Sequence, residues 1–286
     1  MTALAPSPAS PPAAHRTGGV RAAGPASALG RVGDALADAV TMSGRALRLA
    51  RRDVDSIITA AVLPVVILLL FTYVFGGAMD VGGGSYVTYA TPGIILLCAG
   101  FGAASTAMAV EHDMSGGMVD RLRSMPMAPW TLLTGHVAAS LVKNLVTAAI
   151  VFGVAVAVGF RPDASLLGWL GAVGLLLLFV HAISWAAAFV GVLVRSPDAA
   201  SGFTFFVMFL PYVSSAFVPV DTMPTWLRGF AEHQPVTPVI ETVRSLLVGA
   251  APGADVGATA LLAVAWCAGL ALVFAVAAAW GFRRRR

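Results

Sequence analysis

The sequence predicts an all-α integral membrane protein with six transmembrane helices, and three observations support this fold class. Of the 286 residues, 58% are hydrophobic and only 11% are charged, whereas a soluble globular chain is about 25% charged. Six separate apolar stretches are each long enough to cross a hydrocarbon core of about 30 Å as a helix. No stretch alternates apolar and polar residues as the strands of a membrane barrel do. The composition therefore excludes a water-soluble, collagen-like, coiled-coil or disordered protein.

The first 30 residues differ from the rest of the chain and are expected to form a disordered cytoplasmic tail. They are rich in Pro, Ala, Ser and Gly and contain no apolar run of signal-peptide length. Residues 31–286 form the predicted transmembrane domain. At its start, segment 32–54 has apolar residues at helical spacing on one side and Arg45, Arg48 and Arg52 on another. This pattern predicts an amphipathic helix in the membrane interface; a solvated helix packed on protein is the alternative.

Six apolar stretches are the predicted spans. They have to be helical, because the bilayer offers no partner for free backbone groups. The fourth is long enough to tilt or to project from the membrane, and the fifth is short and contains Pro211. The predicted spans are residues 57–75, 91–110, 137–158, 166–194, 203–220 and 258–280.

The basic residues predict the orientation, since Lys and Arg gather on the cytoplasmic side of membrane proteins. With the N-terminus inside, fourteen cations lie on cytoplasmic segments, and three (Arg161, Arg228 and Arg244) lie on the opposite side. Lys143 lies in the third span near its cytoplasmic end, where its side chain can reach the interface. The bias predicts a multi-pass protein of the cell membrane with both termini in the cytoplasm. It also explains the net charge of +4 without a nucleic-acid partner.

The cytoplasmic loop 111–136 is longer than a simple turn. Gly116, Gly117 and Pro126 frame a short predicted helix within it. The apolar face of this helix consists of Met118, Leu122 and Met125, and its other sides carry Asp120, Arg121 and Arg123. Such a helix suits docking to a soluble partner, and a plain connecting loop is an equal alternative.

The extracytoplasmic loop 221–257 contains a second predicted helix. Thr237 is its expected cap, Pro238 its first residue and Gly249 its end. Glu241 and Arg244 are spaced to form an i, i+3 pair. The apolar stripe of the helix has to lie on the membrane surface or on the spans, so we expect a surface-lying or re-entrant helix. The stripe consists of Val236, Val239, Ile240, Val243 and Leu247.

Motifs that would carry chemistry on this chain are missing from the sequence. No G-x-x-x-x-G-K-[ST] phosphate cradle surrounds Lys143, the single lysine. The sequence also lacks H-E-x-x-H, G-x-S-x-G and a paired Cys/His ligand set. Cys98 and Cys267 lie in apolar runs and are predicted to be core residues. We therefore expect no catalytic residue, no metal site and no cofactor bound to this chain.

His181 is the one histidine deep in a predicted span, where a buried polar residue is expensive. It is a candidate for a substrate or proton pathway, although contact with a neighbouring helix is the more common explanation. The spans otherwise hold almost no charge and show no convincing inverted repeat, which disfavours an ion-coupled secondary transporter. They also lack paired carboxylates or a His/Asp set, which disfavours a membrane enzyme.

Seven short motifs follow one another in order along most of residues 45–282. They are DRLRSMPM at 120–127, LTG at 133–135, VGFRP at 158–162, VRSPDAA at 194–200, SSAFVPV at 214–220, HQPVTP at 233–238 and VRSLL at 243–247. Together they resemble the ABC-2 family of permeases, the membrane subunits of ABC exporters, and most closely the daunorubicin-resistance type. The proline-rich first 30 residues fall outside this resemblance.

The resemblance implies six spans, an N-terminal interfacial helix and a re-entrant element before the sixth span. It implies two permease chains, identical or related, paired with two separate ATPase subunits that bind ATP and magnesium and drive export. The helix at 118–125 is then the expected contact with the ATPase. The expected substrates are hydrophobic drugs or endogenous antibiotics. A permease for lipid-linked glycans and an ion-coupled transporter acting alone are the alternatives.

Overall fold

The computed structural model describes residues 54–79, 85–116, 131–250 and 253–284, together with residues 41, 43 and 44. Within these ranges the chain is almost wholly helical and contains no strand. The expected tail and the helix predicted at 118–125 lie outside the described residues. The interfacial helix predicted at 32–54 also lies outside them, apart from residues 41, 43, 44 and 54.

Five long apolar helices and three shorter ones form the described bundle. The long helices have the length and composition needed to cross a membrane. They confirm the predicted spans 57–75, 91–110, 137–158, 166–194 and 258–280 as helices. The helices are α1 (Val54–Leu70, continued by a π-helical turn Phe71–Phe75), α2 (Tyr86–Ser115), α3 (Thr131–Val158), α4 (Leu166–Leu193), α5 (Pro197–Phe209, continued by a 3-10 turn Leu210–Val213), α6 (Thr225–His233), α7 (Val236–Val248) and α8 (Val256–Arg284).

Helix α2 lies at the centre of the bundle and packs against α1, α3, α4, α5 and α7. In α2, 67% of the most apolar 18-residue stretch is buried, whereas in α8 the corresponding share is 11%. Helix α8 packs on α4 and α7 and leaves large apolar side chains such as Leu261, Leu272 and Val276 exposed. Exposed apolar side chains of this kind suit contact with hydrocarbon, so the burial pattern agrees with a membrane-embedded bundle.

The fifth predicted span, 203–220, is not a single helix. Helix α5 begins at Pro197, where the Ser196 hydroxyl accepts a hydrogen bond from the Ala199 amide at 3.3 Å. It ends at Phe209 and gives way to the 3-10 turn, because Pro211 lacks the N–H that would continue the α-helix. Helix and turn together are about 27 Å long. The fifth predicted span is thus represented by a shorter helix and a turn, and six full spans stay a prediction.

Helix α7 confirms the second predicted loop helix, with two corrections: it begins at Val236, so that Pro238 is its third residue and not its first, and its cap differs. Its whole apolar stripe is buried, and it ends at Gly249, whose φ of 109° favours glycine. Pro235, and not Thr237, occupies the cap position; the Thr237 hydroxyl donates to the carbonyl of Ala231 at 2.5 Å. Helix α7 packs against α2, α4 and α8, so its stripe lies on the long helices.

Gly191 allows α4 to approach α2 closely. A Cβ at this position would lie 2.5 Å from the carbonyl oxygen of Ala107 and 2.8 Å from Cβ of Val110. Contacts this short force a shift of backbone, which is costly in a packed interior. Small residues at helix interfaces serve the same purpose in other membrane bundles.

We expect Gly191→Val to lower the melting temperature of the detergent-purified protein by about 2–10 °C, since overpacking costs about 1–3 kcal/mol. Gly174→Val is the matched control on the same helix, because a Cβ there meets no atom within 4 Å. Thermal unfolding of both variants beside the parent protein measures the difference. Equal melting temperatures for the two variants would show that the α2–α4 contact is not tight.

Candidate functional site

Three side chains hold the backbone carbonyls of the segment that follows α5, and we call them the carbonyl clamp (Tyr86, Gln234 and Arg244). A helix leaves its last carbonyls without partners, and a bilayer supplies no water to satisfy them. The hydroxyl of Tyr86 donates to the carbonyl of Phe217 at 3.0 Å. The other donations are from Gln234 Nε2 to the carbonyls of Leu210 and Val213, and from Arg244 Nη2 to the carbonyl of Ser215 at 2.6 Å.

Arg244 is the charged member of the clamp. Its guanidinium lies over the ring of Tyr89, 3.9 Å from the ring centroid, and its Nε donates to the Tyr89 carbonyl at 3.2 Å. Burial lowers the pKa of Arg244, while Tyr89 and Glu241 act in the opposite direction. An arginine keeps its charge despite such a shift. The expected i, i+3 pair with Glu241 is replaced by contacts with α2 and with the segment after α5.

A cavity of about 850 Å³ lies beside the clamp. Tyr89 and Arg244 contribute to its lining, together with the carboxylate residues Asp221, Glu232 and Glu241. A cavity of this size accommodates a drug-sized molecule. Its walls combine aromatic and ionic groups, so it suits an amphipathic occupant better than a purely apolar one.

An ion-pair network around Arg228 of the short helix α6 borders this cavity. Arg228 lies 2.7 Å from Asp221 and 2.7 Å from Glu232. The hydrogen bond to Glu232 raises the pKa of Arg228, and the nearby carboxylate of Asp221 raises it further. Helix α6 is absent from the sequence-based expectations because its nine residues are too few for a clear period. The i, i+4 spacing of Arg228 and Glu232 is the signal that could have indicated it.

A smaller crevice of about 190 Å³ lies where α2, α3, α4 and α7 meet. Its lining is apolar and includes Ile95, Phe152, Trp169 and Leu247. The rings of Phe152 and Trp169 meet edge to face, with their centroids 5.2 Å apart. The crevice thus suits an aliphatic or aromatic group.

His181 has a partner on its own helix. The indole Nε1 of Trp185 donates to His181 Nε2 at 3.1 Å, and the two rings are nearly perpendicular. This bond links neighbouring turns of α4, whereas the sequence suggested contact with another helix. His181 is not part of the lining of either cavity described above. Its role in a substrate or proton pathway stays a prediction.

Polar side chains connect α1, α3 and α4 inside the bundle. Ser184 of α4 donates to Ser140 of α3 at 2.8 Å, and the Asn144 amide donates to the Ser140 carbonyl at 2.9 Å. Lys143 Nζ lies 3.2 Å from the hydroxyl of Ser56 on α1. Such bonds join membrane helices when side chains from different helices meet. The bond between Asn144 and Ser140 lies within α3. The sequence contains no signal for the two contacts between helices, because their members are 44 and 87 positions apart along the chain.

The six residues of the predicted docking helix lie between α2 and α3, outside the described residues. The structure describes the helix ends on either side, which are joined by Asp113 of α2 and His136 of α3. Atoms Oδ2 of Asp113 and Nε2 of His136 are 2.8 Å apart.

The predicted core cysteines, Cys98 and Cys267, are buried free thiols. Within the described ranges, no three His, Cys, Asp or Glu residues are arranged to hold a metal ion.

Comparison with known proteins gives consistent matches along most of the chain. A sequence model described as ABC-2 type transporter matches residues 38–248. The chain is 30% identical over 220 residues to a daunorubicin resistance ABC transporter permease protein, DrrB1, of Streptomyces coeruleorubidus, covering 77% of this chain and 76% of that protein. It is 27% identical over 250 residues to a probable doxorubicin resistance ABC transporter permease protein, DrrC, of Mycobacterium tuberculosis, covering 87% and 89%.

Proposed function

We propose, because the chain belongs to the ABC-2 type transporter family, that it is the permease subunit of an ATP-driven exporter whose energy comes from a separate soluble ATPase. The observation that carries this proposal is the similarity to drug-resistance ABC permeases over 76% and 89% of their lengths. The five long apolar helices support the membrane-spanning role. ATP and magnesium would bind to the ATPase, since this sequence has no phosphate cradle.

The proposed cargo is a hydrophobic drug or antibiotic. The names of the relatives refer to daunorubicin and doxorubicin resistance, and this chain offers two cavities of suitable character. The larger combines Tyr89 with ionic groups, and the smaller is apolar. An amphipathic molecule carries both kinds of surface and would suit the pair of cavities.

A second permease chain, identical or related, is proposed to complete the membrane part. Helix α5 exposes the large aromatic side chains of Phe205, Phe206 and Phe209. Helix α1 exposes Tyr73 and Val74. These faces are available to a second chain or to lipid, and size analysis of the purified complex distinguishes one permease copy from two.

The proposed orientation places both termini in the cytoplasm, because fourteen cations then lie inside and three outside. In a background lacking Cys98 and Cys267, we expect cysteines at Ser85 and Thr225 to react with an impermeant thiol reagent in intact cells. A cysteine at Ser124 should react only after the membrane is opened. Labelling of the Ser124 position in intact cells would contradict this orientation.

The function is tested by co-purification and by transport in liposomes. We expect a soluble ATPase encoded beside this chain to co-purify with it, and daunorubicin to stimulate ATP hydrolysis by the reconstituted complex. The purified permease alone should neither bind nor hydrolyse ATP. Saturable ATP binding by the isolated chain would overturn the assignment. Efflux that needs no ATPase and follows an ion gradient would indicate a secondary transporter.

A further inference from the structure

The contact between Asp113 and His136 joins the two helices from which the predicted docking loop emerges. Asp113 lies in the last turn of α2, and His136 lies near the start of α3. Their atoms Oδ2 and Nε2 are 2.8 Å apart, although 23 positions separate the residues along the chain. The two side chains are 21% and 19% exposed, so water reaches the contact only in part.

An apolar cluster continues from this contact into the bundle, and we call it the inner cluster. It joins the C-terminal ends of α2, α4 and α8 to the N-terminal end of α3. Its largest members include Val110, Leu133, Val137, Trp185, Val192 and Phe282, all buried. Val110 precedes Asp113 by one helical turn, and Val137 follows His136 directly. The polar contact therefore lies at the edge of a tightly packed unit of four helices.

A partly exposed polar contact of this kind contributes little to overall stability, because water competes for both side chains. The value of this pair is instead geometric, since it fixes the separation of two helix ends. Packed interiors transmit displacement because they deform little. With the pair intact, we expect a push on the connecting loop to reach α2 and α3 together. Without it, we expect the push to reach the two helices unequally, even though the inner cluster still packs them.

We propose that Asp113 and His136 are positioning residues for energy coupling, and that their contact makes α2 and α3 respond as one body to the ATPase. This inference rests on the proposed function, because it requires a partner that acts on the loop. The ATPase can drive a conformational change only if it interacts differently with the two states of the permease. The Asp113–His136 pair does not provide that difference. It determines how far the displacement of the loop is transmitted along α2 and α3 into the membrane.

The test uses the complete permease–ATPase complex in liposomes and measures daunorubicin transported per ATP hydrolysed. We expect Asp113→Ala and His136→Ala each to lower this ratio about fivefold, a change typical of couplings between sites. ATPase co-purification and the rate of ATP hydrolysis should stay at the parental level. The exchanged variant Asp113→His/His136→Asp should restore the ratio, because it re-forms the contact with its members reversed.

Arg161→Ala is the control, since Arg161 Nη1 donates to the carbonyl of Phe160 at 2.9 Å and Arg161 lines neither cavity. Arg161 lies beyond the opposite end of α3 from His136, so the control should leave the transport ratio unchanged. A second replacement guards against misfolding of the exchanged variant. In a background lacking Cys98 and Cys267, Asp113→Cys/His136→Cys should lower the ratio, and a short bifunctional thiol reagent should raise it again.

Two results would overturn the inference. The first is a parental transport ratio in both single alanine variants. The second is impaired single variants that neither the exchange nor the cross-link restores, because the residues would then act separately. Failure of the parent permease to bind any ATPase is a different result: it overturns the proposed function, and this inference with it.

Discussion

Replacing Arg244 by Met is expected to lower the melting temperature of the purified protein by about 5–10 °C. The substitution keeps a long apolar stem beside Tyr89 and removes every donor of the guanidinium. The carbonyls of Ser215 and Tyr89 then lose their hydrogen bonds from this side chain. A buried polar group without a partner costs about 1–3 kcal/mol. The Tyr89 carbonyl keeps its partner within α2, but loss of the contact with the Tyr89 ring adds about 1–2 kcal/mol. Relief from holding a partly buried charge offsets some of the cost, which leaves about 2–4 kcal/mol.

Arg244→Lys should fall between the parent and Arg244→Met. A lysine retains the charge, but its ammonium lacks the planar fork that reaches two carbonyls while lying over an aromatic ring. Arg228→Met is the control, because Arg228 is exposed and its pairs are at the surface. Its melting temperature should match that of the parent. If Arg244→Met and Arg228→Met melt together, the clamp does not stabilise the segment after α5.

Replacing Leu122 by Glu is expected to abolish drug efflux and to weaken ATPase pull-down about tenfold or more. Leu122 lies four positions after Met118 and three before Met125, so the three side chains share one face of the predicted helix. We expect this face to fill a groove of the ATPase, where a carboxylate would be buried without a partner. Expression and membrane insertion should be unchanged.

Reversal of Arg121 or Arg123 should have a smaller effect that grows at low salt, because charges at the rim of an interface are screened. Leu166→Glu is the matched control: it makes the same change at the first residue of α4, where the side chain is 77% exposed. Val243 is unsuitable as a control, since it is buried in the core. If Leu122→Glu retains full pull-down and full efflux, the coupling contact lies elsewhere, and the basic segment 32–54 becomes the next candidate.

The apolar stripe of α7 is the part of the candidate site that the sequence predicted correctly. Val236, Ile240 and Leu247 are buried as their helical spacing predicts, because every position on one face of a helix meets the same neighbours. For Arg244 on the same helix, local spacing predicts a pair with Glu241. The contacts of Arg244 are with Tyr89 and Ser215, and no local pattern refers to residues 155 and 29 positions away.

The sequence alone determined that this is a helical membrane protein and, through ordered motifs, which family it resembles. Both follow from local properties, since a run of apolar residues has to satisfy its own backbone as a helix wherever it lies in a bilayer. Tertiary structure decided where α5 ends, which side chains hold the carbonyls after it, and that Asp113 meets His136. These contacts join residues on different helices, and only the packing of those helices determines which polar groups lie within hydrogen-bonding distance.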